Sequence, residues 1–461
     1  MIFKIAFRSI FRNARRSLTT TLTIGIGAAA MLIFAAYSLY DVYVLQTTAV
    51  ERGGHLTVYR HGYFDFGSSD PAIWGVGDYA NVIRLIKNDP VLARLTAVVT
   101  PIQALAGIAE NPGSSGSRTF FATGFVPVDQ KRMQGWDEYG VGANLESMDL
   151  RTEDPSQGVI GFGLAQNLGL CEPLHLSGCP RPPKDAPTRD TGTAGDLPSQ
   201  DFSGLADPSA QRTATPRIDL LAATAGGAPN IVSMRVARVE KQGSKEMDDG
   251  YVVMNLNLAQ QLVYGRGEAK VTGIVLQLHR TEDIGAARSR LQALFAAHHL
   301  NLEVRDYEQI NSYLGQTLSF FQSMFSFIAV LIGVVVLFTV SNTMGMSVME
   351  RTAEIGTTRA LGARRSRIRS QFLLEGALLG FLGATVGVAI AFAAAAAINS
   401  SGMTWTPPGD AHPIPLKLFI LGAPQIIAAV WVALVIIATF AALVPAHRAA
   451  RLAVVDALRH V

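Results

Sequence analysis

The chain has 461 residues, of which 49% are hydrophobic and only 16% charged, with a net charge of +3. That composition is apolar-rich and charge-poor for a soluble protein. The near-balanced total says little by itself; where the charges lie says more.

Residues 1–16 carry Lys4, Arg8, Arg12, Arg15 and Arg16 with no acid. Phe3, Phe7, Ile10 and Phe11 fall on one helical face and Lys4, Arg8, Arg12 and Arg15 on another. This predicts an amphipathic helix lying in the membrane interface, cations at anionic headgroups. The apolar run over 17–45 follows and is the first of four, the others covering 318–346, 372–398 and 418–444. Each exceeds the ~20 residues that cross ~30 Å of hydrocarbon as a helix. The first run continues through Phe34 to Tyr40, too long for the core of a cleaved signal peptide.

Residues 46–317 read as a folded α/β domain. His55–Arg60 is strand-like; Asp78–Asn88 is a helix stopped by Asp89-Pro90; apolar strand runs surround 97–108 and 119–128. Gly158–Leu170 reads as a strand turning into a short helix. Cys171 and Cys179 follow, either a small disulfide loop or two free thiols. Residues 178–216 are rich in Pro, Gly, Ser, Thr and Asp, the composition of a linker or extended loop. Order resumes at 231–240 and 251–254, then a helix near 257–264. The alternation of Thr272, Ile274, Leu276 and Leu278 predicts a half-buried strand. A helix at 283–299 and a strand at 302–306 close the domain, and from Glu308 a helical pattern runs into the second span as one rod.

Between the second and third spans, 347–371 holds six arginines (Arg351, Arg359, Arg364, Arg365, Arg367, Arg369) against Glu350 and Glu354. A short charged helix between two spans has no core of its own and lies at the membrane surface. Arginine excess here, in the arm and in the 445–461 tail places all three on the cytoplasmic side. The 46–317 domain and the 399–417 loop are then external. In the third span Gly376, Gly380, Gly383 and Gly387 share one helix face, which suits close backbone approach. Glu375, near its inner end, is either a functional group or the partner of a neighbouring guanidinium.

No lysine follows a glycine, so the Gly-Lys of a phosphate-binding loop is missing; no metal-ligand spacing occurs among the nine histidines. The spans contain no series of acids or histidines that would serve as a proton relay.

The residues 342–390 carry a resemblance. Asn342, the run Val348–Gly356, Arg359–Ala363, Gln371–Glu375 and the glycine-rich third span are similar to the MacB/FtsX-type ABC permeases. The tail Val444–Arg451 with Asp456-Ala457-Leu458 matches that family's ending, and 219–280 resembles the LolC/LolE lipoprotein-releasing branch more than the macrolide exporters. The resemblance implies an α-helical membrane protein with four transmembrane helices: one, then a large external α/β domain, then three. It implies a multi-pass protein of the bacterial inner membrane, not itself an enzyme and without a cofactor, since ATP is bound by two copies of a cytoplasmic ABC ATPase. A second permease, in a homo- or heterodimer, membrane lipids, and a periplasmic cargo or adaptor are the other partners it implies, with no nucleic acid. Glu350, Arg351, Glu354, Ile355, Gly356, Arg359, Leu361 and Gly362 would couple to the ATPase, the charges as contacts, Ile355 and Leu361 as apolar anchors, and Gly356 and Gly362 as sharp exits. The work expected is mechanotransmission that moves a lipoprotein or other hydrophobic cargo. The alternatives are export of peptides or antibiotics through an adaptor, or a signal relay to a periplasmic hydrolase.

Overall fold

In a computed structural model of the protein, the described residues are 12, 14–67, 70–112, 116–141, 150, 154–179, 216–265, 267–406, 414–422 and 424–452. All but 12 and 14–16 of the expected interfacial helix over 1–16, most of the 178–216 segment and Asp456-Ala457-Leu458 lie outside them. The chain divides into a helical unit (1–46, 311–405, 414–461) and an α/β unit (47–310, 406–413).

Among the described residues, four helices are long and apolar enough to cross a membrane. The first, α1 (Ala14–Gly53), has 40 residues, about 60 Å at ~1.5 Å per residue. This is twice the hydrocarbon thickness, so the 17–45 apolar run is only its middle.

The α/β unit opens with β1 (Leu56–Arg60), followed by α2 (Tyr79–Asn88), α3 (Leu92–Leu95), β2 (Thr96–Glu110), β3 (Ser117–Phe125) and α4 (Pro127–Met133). Then come β4 (Gln157–Gly161), α5 (Phe162–Asn167), β5 (Arg217–Ala223), β6 (Pro229–Glu240), α6 (Lys245–Asp248), β7 (Tyr251–Asn255) and α7 (Leu256–Tyr264). The unit ends with β8 (Gly273–Leu278), α8 (Ile284–Ala297), β9 (Leu302–Asp306) and α9 (Tyr307–Ile310).

The long β2 organises this unit because its two halves belong to different cores. Residues 96–102 pair with β8, which pairs with β1, which pairs with β9, all antiparallel. From Gln103 onward β2 pairs with β3, and its end pairs with β5. The pairings β3–β7, β7–β4, β4–β6 and β6–β5 then close a six-stranded ring back onto β2. The ring is filled by Phe120, Ile160, Ile218, Leu220, Met234 and Met254 together with Leu164 of α5, Leu168 just after it and Leu262 of α7. A separate core lies between the β1–β8 sheet and α2 and α8, around Leu56, Ile86, Ile274, Leu276, Leu291 and Phe295.

Sequence alternation expects β8 to be half-buried, but all six of its residues are buried. Gln277 is the reason. Its Nε2 donates to the carbonyl of Met133 at 2.9 Å and that of Val50 at 3.4 Å, so the polar residue that mimics a solvent face is satisfied inside. Cys171 and Cys179 are joined by a disulfide directly after α5.

The remaining helical unit is α10 (Ser312–Glu350), α11 (Thr352–Ala360), α12 (Arg365–Ser401), a small β10–β11 ladder (Thr404–Trp405 with Ile414–Pro415), α13 (Pro424–Ala441) and α14 (Leu443–Arg451). Two expectations are corrected. The rod from Glu308 is interrupted at Asn311, whose non-helical backbone and capping side chain, accepting from the Leu314 N–H, start α10 afresh. The last span begins at Pro424 rather than Leu418. Residues 420–422 form a single 3-10 turn and Leu418 is held by Asn399, its N–H donating to Oδ1 at 2.8 Å. Pro445 sits in the first turn of α14, where its missing N–H costs nothing, and Pro445, Ala446, Ala449 and Ala450 are buried.

Candidate functional site

The charged segment between α10 and α12 folds as a corner, a short helix and a turn. At the corner Arg351 leaves helical geometry (φ −109°, ψ 17°), ending α10 and beginning α11. Its guanidinium turns inward and meets Glu375 of α12 at 3.0 Å, with only 7% and 4% of the two side chains exposed. A bare carboxylate or guanidinium at this depth would be prohibitively costly; each is stable there because of the other. Glu375 is thus the partner of a neighbouring guanidinium, and Arg351 does not present its charge to a surface.

Ile355 and Gly356 face the same way. Ile355 is 5% exposed and packs in the core that joins α1, α10, α12, α13 and α14. Gly356 is buried within α11 rather than ending it. The sharp exit is made by Gly362 alone, at φ +93°, a conformation that favours glycine.

What remains outward is a narrow strip. Leu361 is 86% exposed and Met349 74% exposed, with Thr357, Thr358 and Ala360 beside them. Arg359 is partly buried and donates to the Leu452 carbonyl after α14.

The two glutamates are held by the N-terminal arm, a pairing that composition does not reveal. Arg12 meets Glu354 at 2.8 Å and Arg16 meets Glu350 at 2.8 Å. The Arg12 hydrogen bond, partly opposed by burial, keeps the Glu354 carboxyl below its ordinary range. Deeper, the hydroxyls of Thr20 on α1 and Thr343 on α10 share a 2.7 Å hydrogen bond. An acid-free arm facing two acids in one loop is the signal from which sequence reasoning can infer the contact.

The four glycines of α12 serve two partners. A Cβ on Gly376 would lie 2.6 Å from Cβ of Ala442, and one on Gly380 2.7 Å from Cβ of Ala438. One on Gly383 would lie 2.6 Å from Cβ of Ile24, and one on Gly387 would collide with Ala28 of α1. The stripe therefore seats α13 along its first half and α1 along its second.

Long apolar helices are here packed through glycines, with a buried charge pair at the corner between two of them. Residues 323–454 match the FtsX-like permease C-terminal family. The macrolide export ATP-binding/permease protein MacB of Psychrobacter cryohalolentis is 32% identical over 194 residues, covering 42% of this chain and 27% of that protein. MacB of Escherichia coli is 28% identical over 171 residues, 37% of this chain and 26% of that protein. MacB of Hyphomonas neptunium is 34% identical over 140 residues, 30% of this chain and 22% of that protein. The matched part is about a quarter of each relative's length. A crystal structure of the extracellular domain of the noncanonic ABC-type transporter YknZ aligns with 55% of this chain and all of that domain, at 11% identity and a TM-score of 0.29, too low to bear on the fold. Residues 323–454 thus carry an FtsX-like permease domain, and the chain is similar to MacB-type ABC permeases.

Proposed function

We propose that this chain is the permease subunit of an ABC transporter that works by mechanotransmission. Two copies of a cytoplasmic ATPase dock on the outward strip of α11 and its turn, beneath a dimer of permeases in a bacterial inner membrane. Both termini and the 347–371 segment are cytoplasmic in this reading, and the α/β unit is periplasmic. The observation that carries it is the division of labour along 350–362. Arg351, Ile355 and Gly356 bind the helix to the membrane core, while Leu361 is left almost wholly exposed at the end of α11. A helix gripped on one face and bearing a bare apolar side chain at its tip is suited to take a push and pass it to α10 and α12. The cargo is a hydrophobic molecule taken from the outer face of the membrane, a lipoprotein being the first choice.

The relatives' description as macrolide export proteins favours a second reading, export of antibiotic- or peptide-type molecules with a periplasmic adaptor. The test uses the permease co-purified with its ATPase and reconstituted in vesicles. Leu361→Asp is expected to leave the permease folded but to cut transport-linked ATP hydrolysis by about an order of magnitude, the effect of losing a central apolar anchor. Wild-type coupling in that variant removes the docking role. Release of lipoprotein, as against efflux of a macrolide, from the same vesicles separates the two cargo readings.

A further inference from the structure

Directly after the Gly362 turn lies a groove of about 640 Å³ lined by Gly362, Ala363, Arg364, Ser366, Arg367, Arg369, Ser370 and Leu373. No acid occurs between Glu354 and Glu375, while four arginines fall between 364 and 369. Arg364, Arg365 and Arg369 are exposed and have no acidic partner among the described residues. Of the two nearest acids in sequence, Glu354 is engaged by Arg12 and Glu375 by Arg351. The positive charge of this groove is therefore not neutralised by the corner beside it.

Its geometry is amphipathic along the helix axis. Ser366, Ser370 and Leu373 recur at intervals of four and three, so they form one stripe on α12. Guanidiniums flank the stripe at its start and Leu373 closes it where the apolar run begins. On the opposite side Ile368 and Phe372 are buried in the helical core, which fixes the direction in which the stripe faces. Ser370 Oγ donates to the Arg367 carbonyl at 3.0 Å, and no hydrogen bond occupies the Ser366 hydroxyl among the described residues.

The geometry points to a binding site for the headgroup of an anionic phospholipid, its phosphodiester held by Arg364 and Arg369 with Ser366, Arg365 adding positive charge beside the groove, and its acyl chains running along α12 past Leu373. A free anion uses only the cationic half of such a groove; a lipid uses both halves, and a span entering the bilayer at this depth brings lipid to it. Basic clusters immediately beside a span are suited to anionic headgroups. The inference needs α12 to enter a bilayer and does not depend on where an ATPase docks.

The test takes the full-length protein in a neutral detergent and follows hydrogen exchange of 362–373 during titration with short-chain phosphatidylglycerol, short-chain phosphatidylcholine or inorganic phosphate. Protection is expected with phosphatidylglycerol, at least about tenfold weaker with phosphatidylcholine, and weakened further by salt. The triple variant Arg364→Gln, Arg365→Gln, Arg369→Gln is expected to lose about tenfold or more in apparent affinity while its exchange elsewhere in the chain stays as in the wild type. Equal protection by phosphatidylcholine overturns the proposal, as does equal protection by inorganic phosphate, which would mark a free-anion site. Protection seen only on adding the ATPase, and with no lipid, overturns it in favour of a protein contact. Because the lipid comparison is made on unaltered protein, it stands even if the triple variant does not fold.

Discussion

Arg351 and Glu375 show how a single side chain can be assigned to the wrong surface when only its neighbours in sequence are known. In a run of arginines beside a span, Arg351 reads as one more surface cation. In the structure it is the one whose backbone breaks helix at the corner, and that break aims its guanidinium at Glu375. The pair is buried, so removing one member leaves an uncompensated charge rather than simply losing an attraction. Glu375→Ala is expected to cost about 3–5 kcal/mol, whereas replacing both residues by apolar ones of similar volume costs far less. Reversible unfolding of the detergent-solubilised chain measures both. A double-variant loss equal to the sum of the losses from altering Glu375 and Arg351 singly would mean that the charges are not coupled. Arg359 is a milder case: its guanidinium is spent on the Leu452 carbonyl, so it ties α11 to the end of α14.

At the scale of elements, what was legible depended on whether the signal was local. The four apolar helices and most strands and helices of the α/β unit follow from run length, alternation and breakers such as Asp89-Pro90. β5 and α4 were missed, the first because it follows directly on a Pro- and Ser-rich stretch, the second because Pro127 reads as the end of a strand rather than as the first residue of a helix. The closed strand ring was not legible at all, since it depends on β2 pairing with β3, β5 and β8, and pairing partners leave no mark in one sequence. For the glycine stripe, spacing gave the shared face but not the change of partner from α13 to α1. That change makes a prediction. Gly380→Val should loosen α12 from α13, and Gly383→Val should loosen it from α1, because a side chain at either position meets backbone as well as side chains. Each should cost about 1–3 kcal/mol, the usual range for overpacking. Cysteine pairs placed across each interface, crosslinked in membranes, should lose efficiency only at the interface altered. Loss at both interfaces from either variant would mean that α12 moves as a block and that the two seats are not separate.

At the scale of the whole molecule, the helical unit is assembled from the two ends of the chain, with the α/β unit inserted between residues 47 and 310. Its candidate docking segment is completed by residues from both ends: Arg12 reaches Glu354 across 342 positions and Arg16 reaches Glu350, while the Leu452 carbonyl accepts from Arg359. The Arg12–Glu354 pair is largely exposed and Arg16–Glu350 partly so, and solvent screening sets the worth of the former at about 0–1 kcal/mol. Such a value is too small to hold the fold and large enough to bias the orientation of a short helix whose other face is already fixed by Ile355. The arm is therefore a tether on the position of α11 rather than a support for the unit. Reversing one charge should raise hydrogen exchange over 352–360 in either single variant, Arg12→Glu or Glu354→Arg. The double variant, which restores opposite charges, should recover about 0.2–1 kcal/mol of that loss, and high salt should erase the recovery. If the two single effects simply add, the contact does not position α11, and its orientation is set by the buried Arg351–Glu375 pair alone.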